Sequence, residues 1–408
     1  MSPMGEFTTE DPLSASRRRW IDHVVGRVDG RFGFGFEEIL GAGVRPNVPS
    51  LYVMGLGFDP RATVAFDVAA PALPKGSRVI AIVPKATSSG ESRESAFQRR
   101  NQEHAQAIAE KHSLDLEVVQ PNPGALDTRF HGVWLVRELR ERQEWATPHV
   151  VVDISSLPSA IFFALIRAFL DEGADGRQLQ VAAAENHWLD DLILDSGTLA
   201  PQFLPGFNLH GSLEDLRDEG TRIWVPVLGH ARQAQMEAIS SAFAPHEICP
   251  VVPFPAPDPR RGDSLVAEYG ELLFDTLEVD AQKFIYADGS NPFDLYKVLL
   301  TISGRYSTAL EPLGPTIIVP STHGSKLLSL GVLLGAYEAD LSVVNAGAPT
   351  SVLDPESTDG TIRDLAEESR PTCLWLAGEP YEQWPHRTLR QTPLQEATGV
   401  QVSEGQER

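Results

Sequence analysis

Thr316–Asp340 reads TIIVPSTHGSKLLSLGVLLGAYEAD: an apolar run, a loop of hydroxyl and glycine residues, then a second apolar stretch of helical length. TIIVPS (Thr316–Ser321) has the Val/Ile content of a strand buried on both faces. The stretch from Lys326 is too long for a strand and is built of Leu, Ala and Gly, so a buried helix is expected there. A strand running through a short loop straight into a helix is half of a βαβ crossover. His149–Gly173, HVVVDISSLPSAIFFALIRAFLDEG, shows the same order of features in the first half of the chain.

The alternation continues outward from both segments. In the first half, strands are expected at Ser50–Gly57, Arg78–Lys85, Leu116–Asn122, His149–Ser156 and Leu179–Asn186. Helices are expected near Thr63–Ala70 and over Ser95–His112, Phe130–Trp145 and Ser159–Gly173. The second half runs through the same series. Strands are expected at Arg222–Gly229, Ile248–Pro255, Lys283–Ser290, Thr316–Ser321 and Leu341–Gly347, with helices over 231–243, 263–277, 292–310 and 326–340. Equal element order at near-equal spacing reads as a duplicated unit. The expected fold class is α/β: two tandem Rossmann-like three-layer units with mostly parallel sheets.

The domain plan that follows has an N-terminal helical or irregular extension (1–49), a first unit (50–197) and a Gly/Pro-containing connector (198–220). A second unit (221–348) and a C-terminal extension (349–408) complete it; the extension holds a further strand at Thr372–Gly378 and a polar tail, EATGVQVSEGQER, expected to be disordered.

Composition narrows the function. Thirty-four Lys and Arg face 56 Asp and Glu, a net charge of −22, which argues against extended DNA or RNA as the main partner. A small anion in a pocket is still allowed, because a few backbone N–H groups and one Lys can hold a phosphate. The only dense basic run, Arg17-Arg18-Arg19, reads best as a solvated helix start. No apolar run is long enough to cross a bilayer, and the first twenty residues lack the apolar core of a secretory signal, so a cytoplasmic location without membrane contact is expected. The two cysteines, Cys249 and Cys373, exclude a disulfide framework, and no histidine pair has helix-borne zinc spacing. Neither a metal nor a cofactor is expected.

In open parallel sheets ligands sit at the carboxyl ends of the strands where strand order reverses, so the loops after the first and fourth strands of each unit are the candidate site. After the first strand comes Gly55-Leu56-Gly57-Phe58-Asp59-Pro60-Arg61. Gly57 allows close backbone approach, Asp59 caps the next helix or holds a ribose hydroxyl, and Arg61 reaches a phosphate; a capped turn alone explains the same residues. The fourth-strand loop of the second unit, Ser321-Thr322-His323-Gly324-Ser325-Lys326, places hydroxyls, a glycine and a Lys at a helix N-terminus, an anion-binding arrangement. A bare N-cap with a solvated Lys is its plainer reading. Ser155 and Ser156 hold the matching place in the first unit, and Gly229 and His230 follow the first strand of the second. Lys85, Glu185, Asn186, Asp288 and Asn345 are further strand-end candidates.

The run Thr322-His323-Gly324-Ser325-Lys326, followed by an apolar, small-residue-rich helix, resembles the fourth-strand loop of CARF-type sensor domains of CRISPR-associated effectors, which carry a T-G-G-T-K-like sequence. His323 stands for the first glycine and Ser325 for the second threonine. VMGLGFDPRA (Val53–Ala62) is similar to the first-strand loop of that family, and two fused units of this kind resemble the SAVED domain of CBASS antiviral effectors. The first unit lacks the Gly and Lys. The resemblance implies a cyclic oligonucleotide messenger bound with Thr322, Ser325 and Lys326 at a phosphate. It also implies a sensor or regulatory subunit of prokaryotic antiviral defence, acting on an effector in a partner chain. Homo-oligomerisation is left open. The alternatives are a metal-independent nucleotide phosphodiesterase using His230, His323 and Lys326, and a structural subunit with vestigial clefts. No residue is assigned a catalytic role.

Overall fold

The computed structural model describes residues 18–30, 34–83, 92–121, 130–172 and 176–381. Arg17, Lys85 and the C-terminal polar tail lie outside them. In chain order the first half contributes β1 (Val24–Arg27), α1 (Phe36–Gly43), β2 (Leu51–Gly55), α2 (Val64–Ala69), β3 (Arg78–Ile82) and α3 (Arg93–His112). It continues with β4 (Asp115–Val119), α4 (His131–Arg140), β5 (His149–Asp153), α5 (Ser159–Asp171), β6 (Gln178–Glu185) and α6 (His187–Asp191). Two short strands, β7 (Ile193–Ser196) and β8 (Gln202–Phe203), lead into the second half. There follow β9 (Thr221–Val227), α7 (Gln233–Phe243), β10 (Glu247–Ile248), β11 (Val251–Pro253), α8 (Arg261–Glu268), β12 (Ile285–Ala287) and α9 (Pro292–Leu310). The last elements are β13 (Thr316–Thr322), α10 (Lys326–Ala339), β14 (Val344–Asn345), β15 (Thr350–Leu353), α11 (Asp359–Glu367) and β16 (Arg370–Ala377).

The fold is α/β with two mostly parallel sheets. The first runs β1-β16-β6-β5-β2-β3-β4 and the second β12-β11-β9-β13-β14-β8. In each, five parallel strands follow the order third-second-first-fourth-fifth, and an antiparallel strand is added to the fifth, β16 on β6 and β8 on β14, with β1 beyond β16. Strand order therefore reverses between β2 and β5 in one sheet and between β9 and β13 in the other. β2 and β5 are buried at every position, as continuous apolar strands under helices on both faces must be.

Three features differ from the pattern in the sequence. Strands from both flanks, β1 and β16, enter the first sheet, where β16 covers the otherwise open edge of β6. In the second sheet β11 and β12 are only three residues long; Pro250, Pro253 and Pro255 lack the N–H groups that a longer ladder needs. The helix expected over 263–277 divides into α8 and a π-helical turn, Glu271–Thr276.

Helix α10 joins the halves. It packs on α9 and β13 of its own half and on α5 and β6 of the first. Every residue from Leu327 to Tyr337 is buried, the expected pattern for a helix apolar all round. Gly331 and Gly335 let α9 approach: a Cβ at Gly331 would stand 2.7 Å from the Pro292 carbonyl, and one at Gly335 2.8 Å from Leu299. An apolar cluster runs from the first sheet through α5 and α10 to α9, while a second one lies under α7 and α8 on the other face of the second sheet. Among the described residues no helix is long and apolar enough to cross a membrane.

The segment before β1 ties the halves a second time. Trp20 packs edge-on against Tyr296 of α9 (5.5 Å between ring centres) and beside Tyr337 of α10, and its Nε1 donates to the Leu376 carbonyl in β16 at 2.9 Å. Next to it His23 stacks on Phe293 at 4.5 Å. Trp20→Ala removes a fully buried indole from this junction. The expected cost is about 3–5 kcal/mol in urea denaturation, at unchanged secondary structure by circular dichroism.

Candidate functional site

Both strand-order reversals open onto one cleft of about 1360 Å³. Its walls come from the loops after β2, β5 and β6 on one side and after β9, β11, β12, β13 and β14 on the other. The glycines ending the first strands make this geometry. A Cβ at Gly55 would lie 2.7 Å from Ser156 Oγ, and one at Gly229 1.6 Å from the His323 carbonyl. In both units the first-strand loop thus crosses directly over the fourth-strand loop.

Of the sequence candidates, Gly57, Asp59, Arg61, Ser156, Gly229, His230, Thr322, His323, Gly324, Ser325 and Lys326 line this cleft, as do Glu185, Asn186, Asp288 and Asn345. Ser155 is not brought to it. Its hydroxyl lies beneath the wall, donating to Asp153 Oδ1 at 2.5 Å and accepting from Ala184 N at 2.8 Å. Asp153 also accepts from Tyr52 Oη at 2.8 Å, and burial pushes its carboxyl up to about 6. This cluster sets the β5 loop rather than offering ligand contacts.

Asp59 and Arg61 turn to each other. Arg61, 1% exposed, donates from Nε and Nη2 to Asp59 at 3.1 and 2.8 Å and from Nη1 to Asp190 at 2.7 Å. Burial alone would lower the guanidinium pKa, but Asp190 and Asp59 outweigh it and raise it. Asn101 of α3 pins the same loop, donating to the carbonyls of Gly57 and Asp59, each at 2.8 Å. Arg61 therefore shapes the wall instead of presenting a free guanidinium to a phosphate.

The N-terminus of α10 meets the first unit directly. Ser325 is its N-cap, accepting from Leu328 N at 3.3 Å. Lys326 reaches across to the Leu157 carbonyl in the β5 loop at 2.7 Å. In return, Glu185 at the end of β6 accepts the Leu327 N–H at 2.6 Å and a hydrogen bond from the Ser325 hydroxyl. The anion position of this helix is thus held by the protein's own carboxylate. Burial first, then the charge of Asp190, push the Glu185 carboxyl up to about 7 against the pull of Leu327, Ser325 and Arg61. Burial also lowers the Lys326 ammonium; Arg61 and Arg232 act the same way, and Asp59 and Asp190 oppose them.

His323 is a packed residue. Its Nε2 lies 2.9 Å from Ser321 Oγ, which accepts from Trp224 Nε1 at 2.9 Å. Burial, helped by Arg232, pushes the imidazole down to about 3, so it is neutral near pH 7 and poorly suited to proton transfer there. His230 stands at the rim, 2.7 Å from Glu268, whose other oxygen accepts from Ala231 N.

Three carboxylates missed by the sequence reading lie together on the segment after β6. Asp190 binds Arg61, Asp191 makes a two-pronged pair with Arg261 of α8 at 2.5 and 2.7 Å, and Asp195 pairs with Arg232 before α7. Asp195 also accepts from Gln235 and Ser351, so the β7–β15 ribbon is fastened to the second unit. The signal was the acidic spacing of Asp190, Asp191 and Asp195 after a strand end. Of the described residues lining the cleft, nine are Asp or Glu and six are Arg or Lys, so an entering anion meets negative charge unless a carboxylate moves or is protonated.

No family model matches this chain, and no curated protein matches it. Among solved structures, it is similar to a Type III CRISPR defence DNA nuclease activated by cyclic oligoadenylate, at 11% identity, covering 78% of this chain and 69% of that one with a TM-score of 0.42. A universal stress protein from Archaeoglobus fulgidus aligns at 10% identity over 73% of this chain and 96% of its own, with a TM-score of 0.21. The cytoplasmic domain of a prokaryotic cation chloride cotransporter gives 9%, 74%, 95% and 0.21 for the same quantities. The residues of the cleft therefore carry the functional reading.

Two outcomes follow from the wall and floor of the cleft. Arg61→Ala leaves Asp59 and Asp190 without their shared cation and is expected to cost about 3–5 kcal/mol in chemical denaturation. For Glu185 the folded-state pKa, about 7, lies above the ordinary value of 4.5. Its contribution to stability is then complete below the ordinary value and is lost as pH rises through 7. Wild type should accordingly lose about 2 kcal/mol relative to Glu185→Gln between pH 5 and 8, read from denaturation midpoints of both proteins across that range.

Proposed function

We propose that the cleft binds a phosphate-bearing nucleotide larger than a mononucleotide, and that the protein is a sensor passing occupancy to an effector in a partner chain. One observation carries this: two strand-order reversals face a single cleft whose floor consists of contacts between the units, Lys326 to Leu157 and Glu185 to Leu327. Its volume exceeds the ~300–1,000 Å³ of ordinary small-molecule pockets, which suits an oligonucleotide. A phosphate at the α10 N-terminus would take the Leu327 N–H, the Ser325 hydroxyl and the Lys326 ammonium. Thr322 lies half-buried on the adjoining wall. The resemblance of Thr322–Lys326 to the CARF loop supports a cyclic oligonucleotide as the ligand, and antiviral signalling as the setting. The buried, neutral His323 makes the phosphodiesterase alternative the weaker reading.

Binding at this floor would act on the joint between the units. Lys326 opens α10, whose body is shared by both halves, so a ligand that recruits its ammonium changes a contact on which their packing depends.

A thermal-shift series with linear nucleotides, cyclic dinucleotides and cyclic oligoadenylates tests this reading. The cognate compound, at 100 times its Kd, should stabilise wild type by about 2.7 kcal/mol. Lys326→Ala should weaken the shift and Lys326→Glu abolish it. If no compound shifts wild type at millimolar concentration, the sensor reading fails.

A further inference from the structure

Leu327 N–H cannot serve Glu185 and a phosphate together. Glu185 approaches it at 2.6 Å from the opposite unit, and its second anchor, the Ser325 hydroxyl, belongs to the same helix end. The groups facing Glu185 are Asp190 of α6, Arg61 of the β2 loop, Ser325, Lys326 and Leu327 of α10, and Arg370 of β16, which stands opposite it in the strand register. Asp190 repels the carboxylate, and Arg61 is already bridged between two acids. Lys326, by contrast, is hydrogen-bonded to a neutral carbonyl, with no carboxylate as its direct partner.

We propose that Glu185 sets the selectivity of the cleft as a built-in competitor: a ligand is admitted only if a phosphate replaces the Glu185 carboxylate at the α10 N-terminus. This rests on the nucleotide reading above and adds to it. A carboxylate driven off the helix end stays in a cleft rich in carboxylates, beside Asp190 and the incoming phosphate, and takes one proton from solvent. The balance is one ligand bound, one Leu327 hydrogen bond exchanged and one proton taken up. A nucleoside without phosphate has no group able to make that exchange. Binding is therefore selective for phosphate and weakens with rising pH.

Cyclic triadenylate suits the test, because its phosphodiesters do not titrate between pH 6 and 8. Calorimetric titration of the full chain in two buffers of different ionisation enthalpy should show uptake of about one proton per ligand at pH 8. Affinity should fall by up to about tenfold per pH unit above 7. Glu185→Gln should bind at least about tenfold tighter than wild type at pH 8 and lose the pH dependence. Below pH 6 the protonated acid and the amide are near-isosteric, so the two proteins should converge there; convergence also verifies that the variant folds. Equal affinities at pH 8, with equal pH slopes, overturn the proposal while leaving the nucleotide reading intact. Tight binding by Glu185→Gln alone supports it. If neither protein binds at any pH and the thermal-shift series also yields no ligand, both the nucleotide reading and this proposal fall.

Discussion

Helix α10 can persist only between two apolar layers, because each residue from Leu327 to Tyr337 is buried and no side of that stretch faces water. One layer is its own half, α9 and β13. The other is α5 and β6 of the first sheet. The two halves are therefore not beads on a linker: the second buries this helix by leaning on the first. The strap through Trp20 and the addition of β16 to β6 strengthen the same junction from the chain ends. Once α10 lies there, its N-terminus points to the carboxyl ends of both sheets, and the cleft forms where both strand orders reverse.

Charge is the second constraint. A chain of net −22 has built a cleft lined with more acids than bases, and Arg61, Arg232 and Arg261 are each paired with carboxylates. Such pairs position loops but give little free positive potential. Replacing one partner of a buried pair is costly because the other charge is left behind. At the floor of the cleft the positive groups are the helix end and Lys326, and both are already engaged across the unit boundary. On the proposed reading, an anion would bind by exchange with internal partners, which would tie affinity to protonation and to packing.

The architecture was largely legible because parallel strands buried on both faces have no need of alternation: LYVMG, HVVVD and TIIVP stand out as unbroken apolar runs. The flanking strands were harder to place. TCLWLAG reads as a strand, yet nothing local says that it joins a sheet begun some 300 residues earlier, and its pairing with β6 is a tertiary choice. The candidate loops were findable because a topological rule places them. Which of their polar groups remain free was not. Asp59 and Arg61 look like ligand residues by type, and only the position of Asp190, 129 positions beyond Arg61, shows that they satisfy each other. Glu185 was visible merely as a charged strand end, since its partner Leu327 contributes a backbone N–H, which no residue type reveals.

A ligand can bias packing between units only through contacts that differ between two arrangements. The Lys326–Leu157 and Glu185–Leu327 hydrogen bonds meet that condition, because each joins one unit to the other and each uses a group that a phosphate would claim. Hydrogen bonds to charged groups contribute about 1.5–3 kcal/mol, so exchanging the two can move an equilibrium between packings by ten- to a hundredfold or more. Leu157 precedes α5, which packs on α10, so both ends of the exchange lie on helices of the shared core. That core is close-packed and resists gradual deformation, which favours a discrete shift of one unit against the other. On the proposed reading, a sensor that relays occupancy needs such a joint under its ligand, and α10 has the position for one.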